Sequence, residues 1–386
     1  PAETRRGLCY RIDPRVPSRH AQKHPVHGGG DFRLLWHRNE WRLHCRGSPS
    51  MRPTPPINVS LLMLLACAGC TTAFGDVIYV NHAATGANTG TSWADAYTDL
   101  QTAIAAAGSA DEIWVARGVY RPAPPPTAPG QNRTASFALK TGVSIYGGFA
   151  GTETQRDQRD WAANVTVLSG DLLGDDGPDW SNRSDNCYHV VTAVQLGHCR
   201  LDGFTITGGH ADGEALGATP ESNDQGSGAN VYDAAPHFEN LIFEGNYASN
   251  HGAVNDHGDS TLVACTFRRN YAGVLGAGLY MHFTSATRAI QCVFTANETP
   301  ADGGGAYSRS YAGAMVEDSI FSLNFANNGA GMYLSEGGST TILRSLFTQN
   351  TAMLGGGGVY SKDAATVVRD CVFIANDAGL EVLTGA

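Results

Sequence analysis

The chain has no apolar run long enough to cross a bilayer, few charges and no standard catalytic signature, and each shortage narrows what it can be. Its most apolar stretch, residues 59–66, falls well short of the roughly 20 residues that a spanning helix needs. Neither G-x-S-x-G, nor H-E-x-x-H, nor a glycine loop ending in Lys-Ser/Thr is present, so serine-hydrolase, zinc-protease and P-loop readings have no support. Basic residues are scarce beyond position 75: 15 Lys/Arg stand against 32 Asp/Glu, a net of −17, whereas residues 1–75 carry 11 and 4, a net of +7. A surface that acidic repels phosphate backbones and anionic lipid heads. Nucleic acid is thereby excluded as a partner, and cations and glycans or other cell-surface components are left. The nine cysteines form no disulfide framework. Cys9, Cys45, Cys67 and Cys70 lie near the start, and Cys265, Cys292 and Cys371 recur as small residues of a repeat. Only Cys187 and Cys199 remain as a pair that could bridge in an oxidising compartment or stay free.

Glycine is plentiful at 47 residues, which points to many tight turns. Residues 1–50 scatter Arg, His and Trp with no helical or strand period and are expected to be an unstructured leader preceding the true start. Met51 opens a secretory signal over 51–75, with Arg52, the apolar stretch and small residues after it. Two processing routes stay open: lipid attachment at Cys67 or Cys70, or ordinary cleavage after Ala73-Phe74-Gly75. Either exports the protein to the outer cell surface or the medium.

Self-similarity decides the architecture. Phe243, Phe267, Phe294, Phe321, Phe347 and Phe373 recur every 24, 27, 27, 26 and 26 residues, each followed three positions on by Asn246, Asn270, Asn297, Asn324, Asn350 and Asn376. Two positions before each Phe stands a Leu, Cys or Ser, and Ile242, Val293, Ile320, Leu346 and Val372 immediately precede it. A second element, such as Gly303-Gly304-Gly305-Ala306-Tyr307, is phased against the first and yields the row Tyr280, Tyr307, Tyr333 and Tyr360. Two short strands per repeat cannot bury an apolar face alone. Stacked one repeat per turn, at about 4.8 Å, they form ladders of Phe inside and Asn at a corner.

The pairing of F-x-x-N with a G-G-A-φ-like element over 226–386 resembles the repeat of polymorphic outer membrane proteins. Ile78-Tyr79-Val80-Asn81, Ile145-Tyr146-Gly147-Gly148-Phe149 and Leu201-Asp202-Gly203-Phe204 make the whole similar to exported proteins of the pectin-lyase-like superfamily. Repeats and resemblance together predict an all-β, single-stranded right-handed parallel β-helix. Residues 76–225 would supply irregular turns and an N-terminal capping helix started by Ser92 and Asp95, with Trp93, Tyr97, Leu100 and Ile104 on one face. Residues 226–386 would be regular coils, cut short at the end.

The resemblance does not settle function, because one fold serves lyases, adhesins and binding proteins. The leading expectation is a non-enzymatic structural or adhesive protein with no catalytic residue, engaging glycans through the tyrosine row, unless those rings merely stack on one another. A second is a calcium-dependent polysaccharide lyase. What the resemblance implies for it is carboxylates holding calcium and a basic residue removing a proton, with Asp202, Asp212, Asp224, Arg200 and Lys140 as candidates. A third is a passenger region of a larger outer-membrane protein. No cofactor is expected except calcium, for which Asp171, Asp175, Asp176, Asp179 and Asp185 crowd one loop, a solvated acidic turn being the other reading. His210 with Asp212 and Glu214 is a weaker candidate for a transition metal.

Overall fold

The computed structural model describes residues 75–379 apart from positions 129, 218 and 336, and the backbone of two earlier strands. Those strands, Phe32–His37 and Glu40–Cys45, pair antiparallel where no regular structure is expected. Register sets Leu34 opposite Leu43 and Trp36 opposite Trp41, residues that favour strands across a short connection. The segment 51–75 expected to direct secretion lies, except for Gly75, outside the described residues, as do residues 380–386.

From residue 75 onward the backbone winds as a coil, with four straight pieces per turn from Val191 on, where the repeat suggested two. In one turn these are Ala229–Tyr232, Ala235–Glu239, Ile242–Glu244 and Tyr247–Ala248, after which Val254–His257 lies parallel to the first. Stacked turns give a first wall of ten strands, Val77–Val80 to Ala365–Arg369, and a second of nine holding the Phe residues. A third wall of eight holds the Tyr row, and a narrow fourth consists of two three-stranded sheets joined by single bridges. The missed pieces are the first wall, whose short segments such as Thr261–Val263 vary in sequence from turn to turn, and the fourth, whose segments are only two to five residues long.

The predicted ladders are in register. Each Phe pairs with the next from Phe243 to Phe373, and the rings stack 4.5–5.0 Å apart. Five of the six, all but Phe373, are fully buried. Such pairs contribute about 0.5–1.5 kcal/mol beyond their burial. The Asn ladder supplies the corner: Asn297 Oδ1 accepts from both the backbone N–H and the Nδ2 of Asn270, while Asn297 Nδ2 donates to the Phe267 carbonyl. The same pattern runs from Asn246 to Asn376. Two further corners per turn use left-handed backbone, several of them at residues that carry no turn signature, among them Ala264, Gln291, Leu323 and Arg344. The Ile/Val row beside Phe forms a half-buried to exposed ridge, with Ile320 and Val372 exposed.

The capping helix is shorter and later than expected. Ser92 and Asp95 do exchange hydrogen bonds, but they close a separate turn, and Tyr97 bridges to Val80. The helix α1 spans Leu100–Ala106 and is capped by Asp99, which accepts the Thr102 N–H at 2.6 Å. Its Leu100, Ala103 and Ile104 enter the core. Cys187 and Cys199 are free buried thiols, each pushed up to about 12 by burial, so no bridge joins them.

Candidate functional site

The tyrosine row lies where alternation puts it, turned away from the core, yet Tyr280, Tyr307 and Tyr333 are buried. Their rings lie on one another at 5.6, 4.9 and 5.2 Å through to Tyr360, so each face is occupied by the next ring. Alternation gives a side chain's direction but says nothing of what covers it. The geometry therefore matches the stacked reading of the row and not the open one.

A different aromatic group stands half-exposed on the fourth wall. Tyr247 and Tyr271 are register partners on adjacent turns and stack at 5.0 Å. Trp180, reaching over from the loop of residues 171–186, contacts both at 5.5 and 6.1 Å. Trp180 has φ of 61°, and its neighbours Asp179 and Asn182 also have positive φ. A bulky aromatic residue in left-handed backbone is costly and persists only where surrounding contacts impose it. Arg183 is the clamp: its guanidinium lies 4.6 Å from the Trp180 ring, Nη1 donates to the Gly245 carbonyl at 3.0 Å, and Nη2 meets Asp176 at 3.3 Å. On the other flank His210 packs edge-on against Tyr247 at 4.8 Å.

The same loop gathers carboxylates. Asp171, Asp175 and Asp185 each offer an oxygen within 4.8 Å of the others, the one such cluster among the described residues. Asp171 also orders the loop by accepting the N–H groups of Gly174, Asp175 and Asp176. Asp176 turns aside to Arg183 and Asn186, and Asp179 is exposed, so of the five aspartates that crowd the loop in sequence only Asp171, Asp175 and buried Asp185 come together. Burial raises the Asp176 carboxyl to about 6 against the pull of Arg183 and Asn186, and the Asp171 and Asp185 charges push the same way as burial. Two buried acceptors, Asp176 Oδ1 and Asn186 Oδ1, have no partner. Hard oxygen donors with unpaired acceptors nearby fit a calcium ion better than a softer metal.

The lyase candidates do not meet in one place. Asp202 is buried between Arg159 at 2.7 Å and Asn240 at 3.0 Å, with Arg200 at 3.7 Å also pairing with Glu239. Lys140 closes the end of α1 through the carbonyls of Ala105 and Ala107. Asp224 binds Ser222 and Asn250. Asp212 pairs with Arg133, while His210 Nδ1 is taken by the Arg183 carbonyl and Glu214 is exposed, so that trio is not a metal centre. Arg133 and Arg183 nevertheless bring the Asp212 and Asp171 segments together beside the aromatic group.

Comparison with known proteins agrees with the coil. Residues 222–386 match the family model described as right handed beta helix region. Among solved structures the chain is similar to pectate lyase Pel9A, with a TM-score of 0.51 and 16% identity over 80% of this chain and 78% of that one, a likeness of fold alone. No curated protein matches the sequence significantly. The chain folds as a right-handed parallel β-helix. Among the described residues no helix is long and apolar enough to cross a membrane.

Proposed function

We propose that this is an exported, non-enzymatic β-helix of structural or adhesive role that binds glycans on its fourth wall, with calcium held in the adjoining loop. The observation that carries this is Trp180, fixed in left-handed backbone over the stacked Tyr247 and Tyr271 beside the Asp171, Asp175 and Asp185 carboxylates. Aromatic faces accept the C–H side of a sugar ring, and a calcium ion would order the loop and offer sites to sugar oxygens. The two arginines at this site are tied into backbone and carboxylate contacts, which supports binding over proton removal. Glycan-array binding of the wild type, lost in Trp180→Ala and reduced by chelation, is the expected result. Binding unaffected by both would refute it.

A second reading, a calcium-dependent polysaccharide lyase, is favoured by the carboxylate trio lying near Arg121 and Arg183 and by the fold shared with a pectate lyase. It predicts rising ultraviolet absorbance from unsaturated uronates when uronic-acid polymers and calcium are supplied. No release from any such polymer would end it.

A further inference from the structure

The outward row of the third wall begins with polar residues and is covered. Register sets Asn230, Asn255 and Tyr280 at equivalent positions on successive turns, and all three are buried. The cover is the segment 219–226 together with His251. Asn230 Nδ2 donates to the Pro220 carbonyl at 3.3 Å, a Cβ placed on Gly226 would sit 3.0 Å from that of Asn255, and the His251 ring lies flat on Tyr280 at 3.9 Å. Backbone bonds from the Gly226 N–H to the His251 carbonyl and from the Asn250 N–H to the Asp224 carbonyl, both 2.8 Å, tie the segment to the next turn, and three side-chain contacts add to them. Asn250 Nδ2 donates to Asp224 Oδ2 at 3.0 Å, His251 Nδ1 meets Gln225 Oε1 at 2.9 Å, and His189 Nδ1 donates to the Gly226 carbonyl at 3.1 Å. Beneath, Asn255 Oδ1, Ser227 Oγ and His257 Nε2 are buried without partners, so closure leaves polar groups that an exposed surface would satisfy.

The imidazoles here are crowded. Asp224 is the carboxylate that faces both His189 and His251, while His282 and Arg309 face His251 with positive or potentially positive charge. His257 is stacked on His282 at 3.7 Å and lies near Tyr232, and His282 has Arg309, Tyr280 and Phe283 around it. Burial lowers His251 to about 4 against the pull of Asp224 and with the push of His282 and Arg309; it lowers His282 to about 4 and His257 to about 3 with the help of their positive neighbours, and it lowers His189 despite its hydrogen bonds and Asp224.

We propose that segment 219–226 is an acid-released flap: protonation of His189 and His251 frees it, the His251 ring moving away with it, and uncovers Asn230, Asn255 and the face of Tyr280 that this ring covers. Two amides beside an aromatic ring suit the hydroxyls and C–H face of a sugar, so release opens a second binding surface distinct from the one around Trp180. The sign follows from linkage. Released imidazoles titrate near 6.5 and covered ones lower, so the closed form is fully favoured above pH 6.5 and weakens progressively as pH falls from 6.5 toward the covered values.

Hydrogen–deuterium exchange of the whole chain tests this without reference to any ligand or to Trp180. After correction for the chemical exchange rate, protection of residues 219–226 should fall at least about tenfold between pH 7.5 and pH 5. The core strands Ala314–Glu317 and Ser339–Leu343 should keep theirs. His251→Gln, which keeps a partner for Gln225 without an ionisable ring, should flatten the profile. Equal protection at the two pH values, loss spread evenly over the chain, or an unchanged profile in His251→Gln would each overturn the flap.

Discussion

Residues 226–379 and residues 76–225 are parts of one coil that use their sequence differently. The later part places the same residue at the same position turn after turn, with Phe on Phe and Asn on Asn, so that stacking order stabilises it. The earlier part has no such ladder. Its second wall runs Tyr120, Leu168 and Ile206 at one register position, and long loops leave it between turns. Those loops bring Trp180, Arg133, Arg183 and the clustered carboxylates to the surface, against Tyr247 and Tyr271 of the first regular turns. The lesson is that repetition specifies the scaffold and departure from it specifies the site.

The sharpest way to break this contrast is to remove one ring from each part. Phe294→Ala should cost about 3–5 kcal/mol for the cavity, plus about 0.5–1.5 kcal/mol for each of two lost ring neighbours. Phe137→Ala, equally buried in the irregular part, should cost the cavity term alone; urea denaturation compares them, and equal losses would deny the ladder its extra contribution. Asn297→Ala strands two donors of Asn270 and should cost about 1–3 kcal/mol for each buried group left unpaired.

On the irregular side, calcium at a hundredfold excess over its dissociation constant should stabilise the wild type by about 2.7 kcal/mol. Thermal melts of Asp171→Asn/Asp175→Asn should show no such shift, and a shift that persists would remove calcium from the loop. Asp176 adds a pH dependence. Its folded value, near 6, lies above the ordinary carboxylate value, so its protonated form is favoured at low pH and that contribution is lost as pH rises through 6. A calcium ion on the neighbouring carboxylates favours the ionised form of Asp176, so by linkage titration calorimetry should find its affinity falling below pH 6. The smallest effect belongs to a corner: Leu323→Gly relieves left-handed strain and should change stability by at most about 1 kcal/mol, with the gain offset by a looser unfolded chain.

The Phe and Asn rows were readable because a fixed period repeats them beyond chance and a parallel coil must bring equal positions together. The corners were not. Ala264, Leu323 and Arg344 adopt left-handed backbone with none of the glycine or asparagine that signals a turn. Among site residues the acidic loop was visible as crowded aspartates, but Asp185 joins Asp171 and Asp175 only because the loop doubles back. Tyr247 and Tyr271 follow the F-x-x-N asparagines directly, a spacing that could have marked them, whereas Trp180 contacts them from more than sixty positions away. The capping helix was misplaced for a local reason, since a Ser-x-x-Asp pair closes an isolated turn as readily as it opens a helix.

The functional account stands on which aromatic group meets the ligand. Carbohydrate binding should be compared between Trp180→Ala/Tyr271→Ala and Tyr307→Ala/Tyr333→Ala, each confirmed as folded by its unfolding transition. Loss of binding in the first pair with retention in the second is the predicted result. Retention in the first with loss in the second would return the binding face to the third wall and contradict the site described here.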